Sequence, residues 1–188
     1  MSPDELERLA ALLHGDNAAA EQGRELVCTL AGDDPVAQAR LFTQAGDLIS
    51  AAGALRATAL DPAATRLIAC DIAAVAMDYF VSDVKPTPGR THRDPRCDEV
   101  IAGMRAFARG EGGEAERVRL EALALAADED DGWWETEAIY AIVNTDPLSA
   151  LDDAARSLAI LVHNIRRPPA DAAPPAIRAA VLALLSRC

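Results

Sequence analysis

Aspartate-proline pairs recur along this chain, at Asp34-Pro35, Asp61-Pro62, Asp94-Pro95 and Asp146-Pro147, with Ser2-Pro3 as their equivalent near the start. Each pair is a helix beginning. The first side chain accepts from backbone N–H groups that an opening turn leaves unpaired, and proline at the first helical position lacks only a hydrogen bond it would not have made. Five helices therefore announce their own starts. Asp16-Asn17 and Asp131-Gly132 are weaker starts of the same kind, and Pro174-Pro175 opens the last helix.

The periods between these starts predict an all-α fold of about eight or nine helices. They run near 3–13, 18–31, 35–52, 62–80, 95–109, 114–127, 133–144 and 147–165, with a last helix carrying Ile177, Val181, Leu184 and Leu185. Segment 18–31 places Ala20, Gly23, Val27 and Leu30 on one side, and 62–80 is apolar on most sides, as a central helix would be. Along 147–165, Leu148, Leu151, Ala155, Leu158, Val162 and Ile165 form a heptad-like seam. Leu67, Ile68, Ile72, Val75, Val100, Ile101, Met104, Phe107, Leu151, Leu158 and Val162 are expected to share one core. The Asp-Pro pairs stand 27, 33 and 52 residues apart, which is no fixed repeat. An irregular α-solenoid or an orthogonal bundle fits, as one domain over 1–188, with 1–53 as a candidate N-terminal helical subunit. Two segments read as loops, 81–94 and 166–174.

Composition narrows the function. With 41 Ala among 188 residues and 4% aromatics, the core must be built of small side chains on closely set helices. The net charge of −12 argues against a nucleic-acid partner, since phosphate neutralisation needs a surplus of cations. Of the 18 basic residues, 17 are Arg and one is Lys. The first residues lack the apolar centre of a secretory signal, and the longest run without Asp, Glu, Lys or Arg is the nine residues 157–165, so a cytoplasmic protein without a membrane span is expected. Cys28, Cys70 and Cys97 sit in apolar helical patterns and read as reduced core thiols; Cys188 lies at the end of the sequence.

No catalytic motif emerges, and no cofactor is implied. His14, His92 and His163 lack a Glu or His at metal-ligand spacing, and Cys70, His92 and Cys97 follow no known ligand pattern. Asp71 and Asp78, two turns apart on the most apolar helix, are candidates for a buried carboxylate pair, unless they border solvent or meet arginines such as Arg66. Gly110 to Gly113 lacks the Lys-Ser/Thr ending of a phosphate loop. Two interaction segments remain. Lys85, Arg90, His92, Arg93 and Arg96 are the one basic concentration, in or beside the 81–94 loop. Asp128, Glu129, Asp130, Asp131, Glu135 and Glu137 surround both tryptophans, Trp133 and Trp134, a composition suited to a basic protein.

The run 94–111, DPRCDEVIAGMRAFARGE, with Ala-rich helices on both sides, resembles the all-helical immunity proteins of bacterial polymorphic-toxin systems. The likeness spans about 66–161 and departs from the family at Tyr140 to Asn144, where Ala/His-rich runs are usual. It implies a non-catalytic protein that neutralises a toxin by binding it, here a basic one. The rival expectations are a helical adaptor or regulatory scaffold, and an enzyme or small-molecule binder with a pocket near Asp71, Asp78 and Tyr79.

Overall fold

The computed structural model describes residues 1–56, 61–83, 94–131, 134–165 and 175–186. Among them are ten helices and no strand: α1 (Pro3–Leu13), α2 (Asn17–Ala31), α3 (Pro35–Ala45), α4 (Leu48–Leu55), α5 (Pro62–Asp83), α6 (Pro95–Ala108), α7 (Glu114–Asp131), α8 (Trp134–Ile142), α9 (Pro147–Ile165) and α10 (Pro175–Leu185). The proline-led starts fall where the caps place them. Asp34 accepts from the N–H groups of Val36 and Ala37, Asp61 from Ala63 and Ala64, Asp94 from Arg96, and Asp146 from Leu148 and Ser149. Ser2 and Glu5 form a reciprocal capping box.

The extra helix arises within 35–52, which divides in two. Gly46 takes φ 90° and ends α3 in the left-handed conformation, and Asp47 accepts from the Ser50 N–H to begin α4. Continuous apolar spacing concealed this break, because Phe42, Ala45, Leu48, Ala51 and Ala52 are buried on both sides of it. Helix α5 continues to Asp83, past the expected loop boundary at 81. The 166–174 segment lies outside the described residues.

The chain forms two compact units, Met1–Ala59 with Val162–Cys188, and Leu60–Leu161. In the first, α3 is central, meeting α1, α2, α4 and α10, over a core that includes Leu9, Leu13, Val27, Phe42 and Ala51. Helix α10 runs antiparallel to α3 and is fastened by two reciprocal bonds: Arg178 Nη1 donates to Gln44 O at 2.8 Å, and Arg40 Nη2 donates to Leu185 O at 3.1 Å. His14 Nε2 lies 3.1 Å from Ala45 O and so acts as donor there. Leu30, expected inward, is 55% exposed, at the last turn of 15-residue α2, which is four residues longer than its neighbour α1. Cys28 is exposed as well, whereas Cys70 and Cys97 are buried.

In the second unit, α5, α6, α7 and α8 close into a ring of neighbours, with α6 also touching α8 across the middle. Residue pairing shows each neighbour antiparallel: Asp71 meets Arg105, Arg96 meets Ala126, Arg117 meets Val143, and Arg66 meets Ile142. This is a bundle rather than an open stack. Ile68, Ile72, Val100, Ile101, Met104 and Leu151 are buried as expected, but Leu67, Val75 and Phe107 are half-buried. Ala69, Ala73 and Ala76 take the buried positions of α5 instead, since small side chains let neighbouring backbones approach closely. In α9 the buried residues are Ala150, Leu151, Ala154, Ala155 and Ser157, so Leu148 sits at the edge of the seam, 36% exposed. The side chains of Leu158 and Val162 lie outside the described residues. Among the described residues, no helix is long and apolar enough to cross a membrane.

Candidate interaction surface

The antiparallel order of α5–α8 gives this unit two dissimilar ends. At one end α5 finishes, α6 begins, α7 finishes and α8 begins. The acidic segment read from the sequence lies here. Asp128, Glu129, Asp130 and Asp131 are the last four residues of α7, and Trp134 and Glu135 open α8, with Glu137 exposed one turn on. Lys85, Arg90, His92 and Arg93, together with Trp133, lie outside the described residues, but the chain leaves α5 at Asp83 and re-enters at Asp94 on this same end.

Arg96 ties the two segments together. Its Nη2 sits 2.6 Å from Asp94 Oδ2, and its Nη1 donates to Ala126 O at 3.1 Å, two residues before the acidic run. The hydrogen bond from Arg96 holds the Asp94 carboxyl below its ordinary range, against a smaller opposing effect of burial. Arg96 is therefore an anchor, already engaged within the fold. The acidic run stands at the C-terminal end of α7, where backbone carbonyls carry partial negative charge, and the last turn of α7 holds no basic residue.

The opposite end is closed from within, by residues the sequence reading did not single out for this role. Arg66, 4% exposed, donates through Nη1 to Ile142 O and Asn144 O at 3.2 and 2.8 Å, and through Nη2 to Thr145 O at 2.9 Å. Arg117, 6% exposed, donates to Val143 O at 2.7 Å. Four successive carbonyls, from the last residue of α8 onward, thus find guanidinium partners from α5 and α7. Glu114 and Glu121 flank Arg117, at 2.7 and 3.1 Å. Desolvation pushes the Arg66 guanidinium below its ordinary value, and its Cζ lies 5.4 Å from the centroid of the Phe107 ring. The available signal was a lone arginine in each of two apolar helical faces.

Among the described side chains, Asp71 and Asp78 do not meet as a carboxylate pair. Asp71 is bound by Arg105, at 2.5 Å, rather than by Arg66, while Asp78 is exposed about 10 Å further along the helix axis. Tyr79 lies outside the described side chains. Burial pushes the Cys70 thiol up to about 12, far from the range of a nucleophilic thiolate. Among the described residues, no three His, Cys, Asp or Glu side chains gather to hold a metal ion, and His92 is not among those residues.

No family model, curated protein or solved structure matches this chain.

Proposed function

We propose that this protein works in the cytoplasm by binding a basic protein, as an immunity protein that neutralises a basic toxin, and that it performs no chemistry of its own. The observation that supports this reading is the acidic run at the C-terminal end of α7. Each charge placed against the helix dipole costs roughly 0.3–1 kcal/mol at low ionic strength, and four acids in one turn also repel one another. A cationic partner relieves both effects on binding, which converts a local instability into affinity and steers the encounter. The chain's net charge of −12 acts in the same direction over longer range.

Affinity capture from the source cell identifies the partner, and co-expression tests neutralisation: cells carrying the partner gene should grow only when this protein is present. With the partner in hand, Asp128→Asn, Asp130→Asn and Asp131→Asn together should slow association and flatten its salt dependence while leaving the helical content unchanged. An association rate indifferent to these substitutions removes the acidic run from the interface. A captured partner that is acidic, or a small molecule turned over by the protein, overturns the reading itself.

A further inference from the structure

Helix α7 has a second face that the bundle leaves uncovered. Its buried side is made by Arg117, Leu120, Ala124 and Ala127. Ala115, Val118, Ala122 and Leu125, at spacings of three, four and three, lie on the opposite side, all exposed, with Val118 at 51% and Leu125 at 42%. The stripe runs for about 15 Å and leads into the acidic turn. One border of it carries Glu114 and Glu121, seven residues apart, whose side chains are 66% and 42% exposed and share a single cation, the buried Arg117. On the other border, Arg119 is already held by Glu99 and Glu116, both at 2.8 Å.

We infer that this stripe docks a basic amphipathic helix of the partner, its apolar residues on Val118, Ala122 and Leu125 and its Lys or Arg residues along the Glu114–Glu121 border. The inference rests on the proposed binding of a basic protein and adds the form the partner takes. Charge decides the occupant. Around the stripe, Glu99, Glu114, Glu116 and Glu121 outnumber Arg117 and Arg119. A second copy of this chain docked antiparallel about a two-fold axis would set the glutamate border against its own counterpart, and either two-fold arrangement brings together two chains of −12 each. A helix laid along exposed anchors at this spacing, with cations at its margin, satisfies both the apolar and the charged parts of the surface.

The test uses the full chain and two synthetic peptides of identical composition, Leu and Lys in amphipathic order and the same residues scrambled so that no apolar face forms. Fluorescence anisotropy should show the amphipathic peptide binding about tenfold or more tightly than the scrambled one, and the Val118→Gln/Leu125→Gln variant should erase that preference. Both substituted side chains are exposed, and circular dichroism verifies that the variant keeps its helices. Equal binding of the two peptides, a preference that survives in the variant, or no binding of either overturns the docking of a helix on α7. Equal binding that weakens on replacing Asp128, Asp130 and Asp131 with Asn would overturn this inference yet leave the wider reading of a basic partner standing, which the capture experiment judges separately.

Discussion

Arginine dominates the basic residues of this chain, and those engaged between helices show what the guanidinium supplies. A fork of donors lets Arg66 reach three carbonyls at once, and Arg40 and Arg178 each reach a carbonyl near the end of a neighbouring helix. A lysine ammonium offers no such planar spread. Arg66→Met should therefore cost about 3 kcal/mol, since orphaned buried acceptors cost roughly 1–3 kcal/mol each, and Arg66→Lys should recover only part of it. Urea unfolding measures both; a loss under about 1 kcal/mol for the Met variant would show that water replaces the guanidinium. Asp94 carries a pH prediction. Its folded carboxyl titrates below the ordinary 3.8 because Arg96 bonds to the charged form, so the stabilisation is complete above the ordinary value and disappears as pH falls through the folded one. The stability difference between the native chain and Asp94→Asn should be constant near neutrality and shrink below about pH 4, in unfolding curves recorded across that range.

Helix pairs are set by where side chains are missing as much as by where they are present. At Gly103 of α6, an added Cβ would lie 2.6 Å from Leu120 Cδ1 of α7, and Leu120 is wholly buried, so its side chain would have to shift within the core. Gly103→Ala should destabilise by about 1–3 kcal/mol, the usual cost of overpacking. Gly53 of α4 offers the opposite case, because a Cβ there meets nothing within 4 Å. Gly53→Ala should stabilise by roughly 0.5–1 kcal/mol through helix propensity alone. Thermal unfolding of the two variants should shift in opposite directions, and a common direction would contradict the packing described for α6 and α7.

At the scale of the molecule, the two units differ in how the chain supplies them. Leu60–Leu161 is one continuous stretch, whereas the other unit combines Met1–Ala59 with Val162–Cys188. A fragment of residues 60–161 holds every residue of its ring of helices, including both buried arginines and the carbonyls they cap. It should fold alone, with a cooperative urea transition and helical circular dichroism. A fragment of residues 1–59 lacks α10, leaving Arg40 and Gln44 without the partners described above, and should be less cooperative by the same measurement. A noncooperative transition for 60–161 would mean that its stability depends on the rest of the chain.

Helix starts and the all-α fold were legible in the residues because capping is local: an Asp beside a Pro satisfies its own next turn wherever the chain later goes. The inward side of most helices was legible too, since apolar spacing reports a face. What that spacing leaves open is which face meets which, and this is where the reading missed. Arg66 read only as a candidate partner for Asp71 and Asp78 and Arg117 drew no expectation, yet α8 brings its trailing carbonyls to them across 76 and 26 residues of sequence. The acidic run at the end of the 114–127 helix was plain in the sequence, yet its place beside the start of α6 and opposite an arginine-closed end follows only from antiparallel packing. The apolar stripe of α7 was hidden for the same reason. In a sequence every apolar residue is a candidate for the core, and only the packed bundle shows that Val118 and Leu125 have been left outside it.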